Sequence, residues 1–65
     1  MHLHIPDMHC GGCVRSVTAV IAALDANAQV QTELDGRTAT VQTTASAEQV
    51  IAALDEAGFP ATLKG

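Results

Sequence analysis

The hexapeptide Val20-Ile21-Ala22-Ala23-Leu24-Asp25 recurs letter for letter as Val50-Ile51-Ala52-Ala53-Leu54-Asp55. Each copy lies in a run whose apolar residues are three and four positions apart, the spacing of one helical stripe. In the first run Val14, Val17, Ile21 and Leu24 make the stripe, with Val20 beside it, which predicts a helix from about Gly12 to Asp25. In the second run Val50, Ile51 and Leu54 form the buried side, flanked by Ala47 and Ala57. Ser46 followed by Gln49 has the form of a capping box at the start of that helix. Gly58 is placed to stop it.

Outward from the helices the period changes to two. Leu3 and Ile5 face one way and His2 and His4 the other, predicting a short strand over Met1 to Ile5 that Pro6 ends. Val30, Thr32 and Leu34 alternate with Gln29, Gln31 and Glu33. Ala39, Val41 and Thr43 alternate with Thr38, Thr40 and Gln42. Asp35-Gly36 between these two strands signals a two-residue hairpin. Phe59 to Leu63 predicts a last strand, which Pro60 confines to a sheet edge. The order is β-α-β-β-α-β. Two copies of a β-α-β unit predict an α+β fold, a ferredoxin-like sandwich of a four-stranded antiparallel sheet with both helices on one face.

Composition narrows the class. A chain of 65 residues allows one domain, 1–65, and buries only about 60% of its unfolded surface. The apolar fraction is 48%, but Phe59 is the only aromatic, so aliphatic side chains must fill the core. Seven acidic against three basic side chains give a charge of −4, which argues against nucleic acid as a partner. The longest apolar run, Ala19 to Leu24, is far short of the roughly 20 residues a membrane span needs. The start Met1-His2-Leu3-His4 lacks the basic and apolar regions of a signal peptide. The chain begins at a methionine and reads as complete, so a cytoplasmic location is expected. There a close cysteine pair is for metal or redox chemistry, since structural disulfides are rare.

That pair lies in Asp7-Met8-His9-Cys10-Gly11-Gly12-Cys13, in the connection between the first strand and the first helix. The second half of the chain bridges strand and helix with Thr44 and Ala45, whereas the first spends Pro6 to Gly11. The added residues are the ones that carry chemistry. Two glycines between Cys10 and Cys13 leave the sulfurs uncrowded and the backbone free to turn. Cys13 falls in the first helical turn, where unpaired N–H groups and the macrodipole favour thiolate. Two thiolates suit a soft monovalent ion, and Cu(I) accepts two ligands. Zn(II) or Cd(II) would need His9 and Asp7 to complete the set around Cys10 and Cys13. A thiol–disulfide oxidoreductase attacking through Cys10 is a third reading. Met8 is expected in the core rather than on a metal.

Asp7 to Cys13 with the helix behind it resembles the Met-x-Cys-x-x-Cys signature of heavy-metal-associated domains. These are the soluble copper chaperones, here of bacterial type, and the N-terminal modules of copper-transporting P-type ATPases. The likeness extends over nearly the whole chain, through the element order, the Asp35-Gly36 turn and the Gly58-Phe59 pair. It implies a non-enzymatic metallochaperone in which Cys10 and Cys13 hold one Cu(I). The ion passes by ligand exchange through a three-coordinate intermediate to a partner such as a copper-transporting P-type ATPase. A monomer is expected, or a metal-bridged dimer.

Three positions depart from the family pattern. Asp7 stands where glycine is usual. His9 stands where threonine is common, a variation associated with bacterial copper chaperones, and it is an auxiliary ligand candidate. Phe59 takes a position near the metal loop that often carries Lys or Tyr. Arg15 is a candidate for docking or charge balance, and His2 with His4 reads as a solvated strand face.

Overall fold

The computed structural model describes residues 1–64. Along them run β1 (His2–His4), α1 (Gly11–Leu24), β2 (Gln29–Glu33), β3 (Thr38–Gln42), α2 (Ala47–Glu56) and β4 (Thr62–Leu63). The strands are ordered β2-β3-β1-β4, each pair antiparallel. The two-residue period places Leu3, Ile5, Ala39 and Val41 on one face of the sheet. Val17 and Ile21 of α1 and Val50 and Leu54 of α2 meet them there, and with Met8 these residues form the buried core. The expected ferredoxin-like sandwich is therefore present, with the helices sharing one face.

The repeated hexapeptide is not a structural repeat. In the first copy Ile21 is buried, Val20 is half-buried and Leu24 is 39% exposed. In the second, Val50 and Leu54 are buried and Ile51 is half-buried. By burial, Val17 and Ile21 correspond to Val50 and Leu54, which shifts the match from the literal repeat by three positions, close to one helical turn. The two copies have the same sequence but present different faces. Leu24, expected on the core stripe, is the residue that this shift leaves outside.

Helix boundaries follow their caps. α1 ends at Leu24, with Asp25 as the extended residue beyond it. The Asp25 carboxylate accepts from the Asn27 N–H, the Thr43 hydroxyl and the Thr44 N–H, tying the α1–β2 turn to the β3–α2 connection. α2 has the expected capping box, Ser46 with Gln49 in both directions. Past its last turn Gly58 takes φ +90, the Gly58 N–H donates to the Asp55 carbonyl and the Phe59 N–H to the Leu54 carbonyl. This pair of bonds is a Schellman ending. Phe59 packs half-buried against the core.

That ending also explains a shorter last strand. With the Phe59 N–H committed to Leu54 and no N–H on Pro60, pairing begins only at Thr62. β4 is an edge strand of two residues, where Phe59 to Leu63 was expected.

The β2–β3 connection differs more. Glu33 pairs with Thr38, so the link is the four-residue turn Leu34 to Arg37 rather than a two-residue Asp35-Gly36 hairpin. The residue in the left-handed region is Arg37 (φ 53), not Gly36. Its N–H donates to the Leu34 carbonyl, and its own carbonyl accepts from the Ile5 N–H at 2.8 Å. Drawn into the turn, Leu34 leaves the strand alternation and is 42% exposed.

Candidate metal centre

Cys10 is the N-cap of α1. No Ser, Thr, Asp or Asn occupies that place, and its sulfur substitutes for their oxygen by accepting from the Cys13 N–H at 3.4 Å. Its carbonyl meanwhile accepts the first helical bond, from the Val14 N–H at 3.1 Å. Capping turns the Cys10 side chain over the first turn, where Cys13 already stands. The two Sγ atoms lie 3.1 Å apart and share a hydrogen bond, with Cys10 exposed and Cys13 half-buried. Gly11 and Gly12 form the open wall of this turn: a Cβ on Gly11 would meet nothing within 4 Å, and one on Gly12 only the Cys10 sulfur at 3.9 Å.

The electrostatics favour a thiolate at Cys10. The Cys13 thiol and the Cys13 backbone N–H hold the Cys10 thiol below its ordinary range, desolvation opposes them, and the Gly12 N–H and the Arg15 charge add smaller contributions in the lowering direction. Arg15, one turn into α1, therefore stands where its charge is felt by the sulfur.

His9 joins the pair. One ligand atom each from His9, Cys10 and Cys13 lie within 4.8 Å of one another. Asp7 is exposed and outside this group, so the His9/Asp7 combination considered for a harder ion is only half assembled. Met8 is wholly buried in the core, and its N–H donates to the Ile5 carbonyl at 3.0 Å. It anchors the loop from beneath, as expected, and offers no exposed thioether. His2 and His4 lie away from the thiols on the strand that precedes the loop, and the His2 ring hydrogen-bonds the Thr40 hydroxyl at 3.1 Å.

Sequence reasoning missed Arg37. Its guanidinium donates to the Pro6 carbonyl at 3.1 Å while its backbone carbonyl holds Ile5, so one residue of the β2–β3 turn clamps the chain where it enters the metal loop. No local signal marks it, because its role rests on the contacts it makes with Ile5 and Pro6, more than thirty positions away.

This arrangement can hold a soft ion on two sulfurs with room for an incoming third ligand, or close to a disulfide by losing two electrons. The heavy-metal-associated domain pattern matches residues 2–60. A solved gold-binding protein is 52% identical, with a TM-score of 0.91 and 94% of each chain covered. The copper chaperone Atx1 of Synechocystis PCC6803 is 29% identical, with a TM-score of 0.92 over 95% of this chain and 98% of that one. An uncharacterised protein of Haemophilus influenzae is 34% identical over 92% of this chain and 91% of its own length. With its thiol pair at the head of α1 and its fold shared with these proteins, the chain belongs to the heavy-metal-associated domain family.

Proposed function

We propose that this protein is a soluble, cytoplasmic carrier of one Cu(I) ion, bound by the Cys10 and Cys13 thiolates and passed on by ligand exchange. It is a carrier rather than an enzyme. The observation that bears most of the weight is the sulfur pair, 3.1 Å apart at an open helix N-terminus with Cys10 exposed. Binding releases the thiol protons of Cys10 and Cys13 to solvent and seats the ion between the sulfurs, and the N–H groups that now face the Cys10 sulfur support the net negative charge of a bis-thiolate Cu(I) centre.

Release follows from the same exposure. A partner thiolate adds to the ion to give a three-coordinate centre. One bond to Cys10 or Cys13 then breaks, a second partner thiolate displaces the remaining sulfur, and each freed thiolate takes up a proton from solvent. A copper-transporting P-type ATPase is the partner class we favour, with this chain acting as a monomer and a metal-bridged dimer as the loaded alternative.

Au(I) is a second reading, favoured by the 52% identity to a gold-binding protein. It is soft and monovalent, and the same two sulfurs suit it. Zn(II) is less well served, because a closed zinc site wants four ligands and the gathered group supplies three.

A competition titration under anaerobic, reducing conditions tests the proposal. Cu(I), Au(I) and Zn(II) are offered in turn against a chromophoric chelator, with stoichiometry read by native mass spectrometry. One Cu(I) per chain, retained against excess Zn(II), is expected. Binding of Zn(II) in preference to Cu(I) would overturn it. Reduction of insulin disulfides at a measurable rate would favour the oxidoreductase reading instead.

A further inference from the structure

We propose that His2 and His4 form a second metal site, on the open face of the sheet, that takes a divalent ion of borderline softness such as Zn(II). The site is separate from the thiol pair, and the inference does not rest on the carrier reading above.

β1 is three residues long, and both of its outer positions are histidine. Alternate side chains of a strand point to opposite faces, so with Leu3 buried under the helices the two imidazoles share the other face. At roughly 3.3 Å per residue their Cα atoms lie about 6.6 Å apart. Metal–nitrogen bonds of about 2.0–2.1 Å require the rings to lean together. An exposed His2 and a half-buried His4 on an uncovered face have the freedom to do so. His2 is already oriented. Its Nδ1 and the Thr40 hydroxyl are 3.1 Å apart, and with Nδ1–H as the donor the Nε2 lone pair is left for an ion. Metal-binding histidines are commonly held this way, by an oxygen that accepts from the second ring nitrogen. The cluster at the thiols takes in His9 and neither His2 nor His4.

The surroundings suit a hydrated cation. Cross-strand pairing sets Thr38 and Thr62 on either side of His4, and Thr40 beside His2. Thr40 also lines a hollow of about 50 Å³ with Gln29, Gln31 and Gln42. Their amide oxygens can accept from waters that fill the ion's remaining positions. Two charged residues stand near by pairing. Glu33 lies opposite Thr38, one strand beyond His4, and the Lys64 N–H donates to the His2 carbonyl. They are of opposite sign, so the donor set selects the ion. Imidazole suits Zn(II), Ni(II) and Cu(II), whereas thiolates suit Cu(I), and the two sites sort ions by softness. With only two protein ligands, an ion here exchanges with solvent rather than being closed in.

Zn(II) titrated into the tag-free Cys10→Ser, Cys13→Ser double variant at neutral pH tests the site without the thiols. The ring nitrogens are followed in long-range ¹H–¹⁵N spectra and the affinity by calorimetry. One Zn(II) per chain is expected, moving Nε2 of His2 and His4 and leaving the His9 ring still. His2→Gln and His4→Gln, added singly, should each lower the affinity by about tenfold or more, at least the loss typical of an outer-shell partner. His9→Ala should leave it unchanged. Amide spectra without zinc establish that each variant is folded. No ring shift, a shift centred on His9, or undiminished affinity in either glutamine variant would overturn the proposal. Because the tested protein lacks both thiols, its failure is separate from that of the carrier reading, which the Cu(I) affinity of the unaltered protein decides.

Discussion

The Arg37 guanidinium donates to the Pro6 carbonyl at 3.1 Å, across thirty-one positions of sequence, and the Arg37 carbonyl accepts from Ile5 at 2.8 Å. Both bonds act on the two residues that lead into the metal loop. A left-handed conformation costs a non-glycine residue roughly 1–2 kcal/mol, and here it is the condition for reaching both partners. Arg37→Ala keeps that strain and loses the side-chain bond, so it should destabilise by about 1 kcal/mol. Arg37→Gly loses the same bond but relieves the strain, so its stability should stay near that of the parent. In both variants the Met8 to Cys13 amides should exchange with solvent faster, while Arg37→Lys restores part of the protection. Thermal melts with hydrogen-exchange mass spectrometry measure the two effects separately. Unchanged loop protection in Arg37→Ala would remove the clamp.

Cys10 both caps a helix and carries a candidate metal ligand, and serine separates the roles. Serine is among the favoured N-caps, so Cys10→Ser should melt no lower than the parent. Its Cu(I) affinity should nonetheless fall by more than the 10–100-fold typical of losing an outer-shell partner of a metal. Cys13→Ser should lose Cu(I) similarly. Parent-like affinity in both variants, measured against a chromophoric chelator, would exclude the sulfur pair as the binding site.

His9 divides the candidate ions. It lies within reach of the sulfurs, and imidazole suits Zn(II) better than it suits two-coordinate Cu(I). His9→Ala should leave Cu(I) affinity within about threefold and lower Zn(II) affinity by about tenfold or more. Equal losses for both ions would make His9 a full ligand of the Cu(I) centre.

The element order, the core of Leu3, Ile5, Val17, Ile21, Val50 and Leu54, and the thiol pair were legible in the sequence because each rests on local periodicity or spacing. Burial of Met8 was legible too, from the shortage of large apolar residues around it. What escaped depends on contacts between distant segments. Whether Asp35-Gly36 closes a two-residue or a four-residue turn is decided by what Arg37 finds across the sheet at Ile5 and Pro6, and no local signal encodes that. The repeated hexapeptide supported the correct fold by an incorrect route. Local identity predicts helix in both copies, but the face each copy buries is set by the layers above and below it. The last strand shrank for a countable reason: the N–H of Phe59 and the missing N–H of Pro60 were already accounted for.

Met8 lies two residues before Cys10 and is wholly buried, which separates anchoring from ligation. Met8→Ala removes a fully buried side chain and should cost about 2–5 kcal/mol, much of the stability of a domain this small. Met8→Leu conserves volume and should cost less than about 1.5 kcal/mol. The leucine variant should keep Cu(I) affinity within about threefold, since the thioether is not offered to the loop surface. A tenfold loss in a folded Met8→Leu variant would make the sulfur of Met8 a ligand after all.

Asp25 gives stability a defined pH dependence. Its carboxylate accepts from the Thr43 hydroxyl, the Asn27 N–H and the Thr44 N–H, and these bonds hold its pKa below the ordinary carboxylate value. A group whose folded pKa is depressed stabilises the fold above its unfolded pKa, near 3.9, and loses that contribution as pH falls through the folded value. Asp25→Asn should therefore melt lower than the parent at pH 7. The difference should persist to about pH 5 and then narrow as the parent's own carboxyl becomes protonated. Asp55, its counterpart in the repeated hexapeptide, is exposed, and Asp55→Asn serves as the control variant. Melting curves of the three proteins from pH 7 to pH 3 decide the matter. A parent-to-Asp25→Asn difference that stays constant with pH would show that the linkage lies elsewhere.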